Sequence, residues 1–188
     1  MSNLSGLLPA GGGAWTLVST MTPSAASTIE ITDFTAYKQY KVIYSLKCSA
    51  THTVRFKMKL NGSWRSTYYA YRSNTSTSTT NNDRNVSSTN SSDVNASQTG
   101  NDPAKADRLF NFEFLFTNPT ETLDTQQVSW KGIWNISGGD GWLQSSDGIA
   151  TVRAAGSGVS DLEGFRLYSS SGTLTGTVYI YGLTAMEI

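Results

Sequence analysis

The run Val54-Arg55-Phe56-Lys57-Met58-Lys59-Leu60-Asn61-Gly62 settles the fold class. Apolar and basic residues alternate with period two, as in a strand with one face buried and one in water. Asn61-Gly62 then supplies two residues that tolerate φ > 0, which a tight hairpin turn demands. Upstream, Tyr40, Val42, Tyr44, Leu46 and Cys48 alternate with Lys41, Ile43, Ser45 and Lys47. Downstream, Phe110, Phe112, Phe114 and Phe116 share a face, with Asn111 and Glu113 opposite. A Tyr-rich strand runs through Trp64, Tyr68, Tyr69 and Tyr71. Further strands are expected at 15–20, 27–32, 128–136, 148–153, 164–168 and 176–183.

That makes about nine or ten short strands and very little helix, an all-β pattern. The expected fold is an antiparallel β-sandwich, jelly-roll-like. Ser49 to His52 reads as the turn of the first hairpin, which would set Lys41 and Lys47 across from Arg55, Lys57 and Lys59. Gly132, amid Trp130, Lys131, Ile133 and Trp134, breaks the alternation and reads as a bulge. Asp140-Gly141, Asp147-Gly148 and Ser171-Gly172 read as turns.

Composition narrows the function. The chain has 188 residues, with 15% charged and 14 basic groups balancing 14 acidic ones. Such balance excludes a protein whose main work is gripping nucleic acid, since that takes a basic surplus. No stretch approaches 18 apolar residues, so no membrane span is expected. The opening MSNLSGLLPAGGGAW carries no positive residue and does not read as a secretory signal. The single Cys48 gives no intrachain disulfide. With one His and one Cys, a structural zinc site would lack two ligands, so no metal or cofactor is expected.

The chain divides into a flexible arm at 1–14 and one sandwich domain at 15–188. In the arm, Leu7, Leu8 and Pro9 form an apolar plug ahead of Gly11-Gly12-Gly13. Residues 74–101 stand apart, with 20 of 28 positions Ser, Thr or Asn. So polar a stretch buries little apolar surface and is expected as a long exposed loop. Four of the seven Asn-x-Ser/Thr triplets fall there, at Asn74, Asn85, Asn90 and Asn95, a by-product of composition.

The chemistry on offer is thin. A nucleophilic site would have to use His52, and Cys48 beside it faces the core by alternation. Neither a Gly-x-Ser-x-Gly elbow nor a phosphate-cradling glycine loop is present. Asp161 and Glu163 could share a strand face as paired carboxylates, a pattern that also suits an ordinary strand start. No catalytic residue is assigned. Arg55, Lys57 and Lys59 form a basic stripe that could seat an acidic partner surface. Trp64, Tyr68, Tyr69 and Tyr71 could stack on sugar rings.

The layout carries a resemblance. Phe34-Thr35-Ala36-Tyr37-Lys38-Gln39-Tyr40-Lys41-Val42-Ile43 leads into the basic strand, the Tyr-rich strand and the polar excursion. Phe112-Glu113-Phe114-Leu115-Phe116-Thr117-Asn118-Pro119 follows. The close is Leu162-Glu163-Gly164-Phe165-Arg166-Leu167-Tyr168-Ser169-Ser170-Ser171-Gly172 with Gly176-Thr177-Val178-Tyr179-Ile180-Tyr181-Gly182-Leu183. Over about 150 residues this resembles the small β-sandwich structural proteins of tailed bacteriophage virions, of head decoration, fibre or tail-appendage type. The resemblance implies a virion component made in the host cytoplasm, commonly trimeric. The leading expectation is a capsid decoration (cement or head-fibre) protein that binds the major capsid protein or another virion protein. The second is a tail-fibre or receptor-binding tip that contacts host surface glycans. An enzyme such as a polysaccharide depolymerase is third.

Overall fold

The computed structural model describes residues 14–32, 34, 37–66, 69–77, 80–97, 104–117, 125–135, 143–153 and 161–183. The strands are β1 (Trp15–Met21), β2 (Thr28–Thr32), β3 (Gln39–Cys48), β4 (Val54–Leu60), β5 (Ser63–Trp64), β6 (Tyr69–Thr77) and β7 (Thr80–Ser91). They continue with β8 (Val94–Asn95), β9 (Leu109–Thr117), β10 (Thr125–Asn135), β11 (Leu143–Arg153), β12 (Leu162–Ser169) and β13 (Leu174–Leu183). The described residues contain no helix.

Eight strands form one sheet in the order β1-β13-β3-β9-β10-β11-β6-β7. Five form the other, β2-β12-β4-β5 with β8 also on β4. Every pairing is antiparallel. The two sheets share one apolar core, so the expected sandwich is the observed one.

Aromatic rings fill the space between the sheets. The four phenylalanines of β9 all point inward and are buried, as the alternation requires. Phe165, on β12 of the smaller sheet, reaches across to them, with its ring centre 4.9 Å from both Phe114 and Phe116 and 5.2 Å from Phe56. Tyr44 and Phe56 meet Phe114 edge to face at 5.6 and 5.3 Å. Such geometries contribute about 0.5–1.5 kcal/mol per pair beyond simple burial.

Large rings need room, and glycine supplies it. Gly132 on β10 lies directly opposite Phe112 on β9, and a methyl built on it would fall inside that ring. Gly148 on β11 stands in the same relation to Trp130 on β10. Both glycines lie in unbroken ladders. The bulge expected at Gly132 and the turn expected at Asp147-Gly148 are therefore corrected to straight strand. The irregularities fall elsewhere, one of them between Leu17 and Ser19 on edge strand β1.

Other expectations are corrected by the pairing. β3 and β4 do not form a hairpin: they lie in different sheets, and Ser49 to His52 is the crossing between them. Lys41 and Lys47 thus sit on the larger sheet, away from Arg55, Lys57 and Lys59. The single Tyr-rich strand is two strands, since β5 belongs to the smaller sheet and β6 to the larger. Most of the polar stretch is ladder rather than loop, with β6 and β7 paired from Tyr69↔Ser91 to Thr77↔Thr80. β7 is the last strand of its sheet and is held by its backbone pairing to β6, its Asn- and Ser-rich sequence offering no apolar alternation.

The Asn61-Gly62 turn is as expected. Leu60 pairs with Ser63, and both turn residues have positive φ, 50° and 74°. Gly172 also takes positive φ, 74°, in the expected turn between β12 and β13. The expected apolar arm at Leu7, Leu8 and Pro9 lies outside the described residues, as does the Asp140-Gly141 turn.

Two substitutions check this packing by urea denaturation. Phe165→Ala should cost about 3–5 kcal/mol, a transfer loss plus a cavity between the sheets. Gly132→Ala should cost about 1–3 kcal/mol, because the added methyl must push Phe112 off its seat. A Gly132→Ala change within about 0.5 kcal/mol of wild type, the range of an ordinary surface substitution, would contradict the seating of that ring.

Candidate functional site

The outer face of the smaller sheet carries the basic stripe. Alternation on β4 turns Arg55, Lys57 and Lys59 outward, and pairing with β12 sets them across from Tyr168, Arg166 and Gly164. Acidic partners arrive from elsewhere in the chain. Arg55 Nη1 lies 3.4 Å from Asp93, which also accepts a 2.5 Å hydrogen bond from the Tyr168 hydroxyl. Lys59 lies 3.8 Å from Glu163, and Arg166 lies 2.6 Å from Glu30. The Arg166 guanidinium stacks over Trp64 at 4.2 Å. The partly exposed Lys59–Glu163 and Arg166–Glu30 pairs contribute little stability each, typically about 0–1 kcal/mol, whereas Asp93 of the first pair is buried. Their effect here is to occupy the charges of Arg55, Lys59 and Arg166 from within the molecule.

Glu163 has a second task. Its carboxylate accepts the Gly62 N–H at 2.9 and 2.8 Å, holding the β4–β5 turn from the neighbouring strand. Asp161 precedes β12 rather than sharing a ladder face with Glu163.

The proposed sugar platform is divided. Trp64 is half-buried under Arg166 on the smaller sheet, whereas Tyr71 is buried on the larger one. Burial pushes the Tyr71 hydroxyl above the usual tyrosine range, more than its hydrogen bond to Asn95 lowers it. The backbone of Tyr69 pairs within β6, and Tyr68 lies outside the described residues. Trp64 and Tyr71 therefore do not form one stacking surface.

Cys48 faces the core as expected and is fully buried, its thiol donating to the Ser171 carbonyl at 3.1 Å. His52, read from the sequence as a turn residue, is also buried. Its backbone bridges Ala104, its Nδ1 lies 3.0 Å from the Ala50 carbonyl, and its ring packs on Phe110 at 5.0 Å. Nε2 is buried with no partner among the described residues. Burial pulls the imidazole below its ordinary 6.5, against a smaller upward pull from Ala50.

The outer face of the larger sheet is different in kind. The registers place residues in rows across the strands. One row runs Leu17, Tyr181, Lys41, Leu115, Ser129 and Ile149. The next runs Tyr179, Ile43, Glu113, Lys131 and Asp147. A third runs Thr177, Ser45, Asn111, Ile133 and Ser145. All the large apolar side chains found well exposed among the described residues belong to this sheet: Leu17, Val18, Leu109, Ile133, Leu143, Ile149 and Tyr179. Two shallow hollows mark its centre, one of about 350 Å³ between Ile43 and Ile133, the other of about 320 Å³ between Leu115 and Asp147. The Lys131–Glu113 pair, 3.3 Å apart, borders both.

The sequence held a signal for this face. Gly132-Ile133 and Gly148-Ile149 each put glycine inward beneath a ring and isoleucine outward. The lost alternation that suggests a bulge and a turn marks instead an inverted pair on each of two neighbouring strands. Comparisons of the chain with family models, with curated proteins and with solved structures found no match.

His52 gives a pH dependence with a definite sign. Its folded-state pKa lies below the unfolded value of 6.5, so the stabilisation it provides is full above 6.5 and is lost as pH falls through the folded value. Unfolding free energy measured by urea titration should decline on acidification from pH 6.5, and His52→Gln should flatten that part of the profile. Superimposable slopes for the two proteins between pH 6.5 and 5 would contradict a neutral buried imidazole.

Proposed function

We propose that the chain is a non-enzymatic structural protein of a tailed-phage virion, a decoration protein that sits on the outer head surface as a homotrimer. The observation that carries this reading is the placement of exposed apolar surface: among the described residues the well-exposed large apolar side chains all belong to the larger sheet, whereas three ion pairs line the smaller one. A protein that works by contact needs one face for water and one for a partner. Exposed apolar patches on an otherwise polar domain are where such contacts form. The sequence layout from Phe34 to Leu183, which resembles that of virion sandwich proteins, supports the particle as the setting.

In this reading the Leu7-Leu8-Pro9 arm supplies the attachment to the major capsid protein or another virion protein. Burying two leucines contributes roughly 3–5 kcal/mol before ordering costs. Ordering the arm takes back about 1–2 kcal/mol per fixed residue, so three arms acting together are needed for firm attachment. A tail-fibre tip that contacts glycans is the second reading, and Trp64 and Tyr71 do not share a stacking surface for it.

Gold-labelled antibody on purified virions tests the proposal. Label on the head surface is expected, reduced at least several-fold by deletion of residues 1–13 while the truncated protein stays folded. Label confined to the tail would replace the head reading with the second one, and particles without label would overturn both.

A further inference from the structure

We infer that the outer face of the eight-stranded sheet is where a second copy of this chain docks. The inference rests on the self-assembling reading above and names the surface that it leaves open.

Four observations single out a second copy as the occupant. The first is area. Eight strands about 4.8 Å apart and roughly nine residues long make a face on the order of 1,000 Å². A stable interface of standard size asks for about 800 Å² from each partner.

The second is charge. Across the three central rows the charged positions are Lys41, Lys131 and Arg72, which pairs with Ile149 from β6, against Glu113 and Asp147, a mixed set with a small positive excess. A strongly acidic or basic partner would gain little there. A second copy also presents both signs and can meet lysine with carboxylate.

The third is the placement of the apolar groups. Ile133 and Ile149 are 43% and 50% exposed and stand on adjacent strands near the sheet's centre, flanking Lys131. Interfaces have this anatomy, with apolar anchors at the centre and polar residues around them.

The fourth concerns the sheet's edge. β1 is exposed along most of its length, with Leu17 and Val18 both uncovered. Its register shifts between Leu17 and Ser19, and such a bulge opposes edge-to-edge strand pairing. The geometry therefore favours docking through the face over extension of the sheet.

Sedimentation velocity of the full chain across micromolar concentrations tests the inference. Wild type should associate. Ile133→Lys and Ile149→Lys should each raise the concentration needed for association by about tenfold or more, the loss expected at an interface anchor. Lys57→Glu, on the opposite sheet, should leave it unchanged. Circular dichroism reports whether each variant is folded.

Acetylation of wild type gives a readout that needs no variant: Lys131 should become protected relative to Lys57 as concentration rises. A wild-type chain that is monomeric throughout overturns the inference. So do folded Ile133→Lys and Ile149→Lys variants that associate like wild type, or a Lys131 rate that ignores concentration. A monomer that still labels virion heads would sink self-docking and the trimer, leaving only decoration of the particle. Association through this face without particle label would do the reverse.

Discussion

The contact of Phe165 with Phe114 and Phe116 is the interaction on which the rest of the structure depends. It joins one strand of the smaller sheet to the central strand of the larger and fixes the gap between them. Packed sheets lie about 10 Å apart, and buried phenylalanines from both sides meet in that space. Once the gap is set by rings, positions beside the largest of them must be small. Gly132 and Gly148 meet that requirement under Phe112 and Trp130. The core is thus a set of rings and of the absences that let them lie flat.

The same constraint shapes the outside. With glycine inward, the next residue of each strand, Ile133 or Ile149, points outward on the larger sheet. On the smaller sheet the outward positions carry Arg55, Lys57, Lys59 and Arg166, three of them held by Asp93, Glu163 and Glu30. One face is thereby finished against water by its own ion pairs, while the other keeps apolar surface uncovered. The difference between the faces, rather than any cluster of reactive groups, is what the fold offers to function.

Much of the fold was legible in the sequence. The runs 40–48, 54–60 and 109–116 name their inward residues correctly because each strand has one buried face and a strict period of two. Strand partners were less legible. β3 and β4 are joined by a short segment, as a hairpin would be, yet they belong to different sheets, and a local pattern does not say which side of the core a strand joins. β7 and the polar half of β6 were hidden by composition, since Ser, Thr and Asn there leave no apolar alternation to read. At the candidate site, the outward direction of the basic stripe was plain from alternation. Its neutralisation was not, because Asp93, Glu163 and Glu30 come from strands and turns far along the chain. The Gly-Ile pairs were visible but read by the wrong rule, as breaks in a strand rather than as the trace of a ring packed across it.

The central claim is that the isoleucine-bearing face of the larger sheet meets another copy of the chain. Isotope-filtered methyl NMR on a mixture of labelled and unlabelled protein tests it most directly. Cross-copy contacts from the methyl groups of Ile133 and Ile149 are the predicted result. Cross-copy contacts arising from the smaller sheet, with Ile133 and Ile149 silent, would contradict the account.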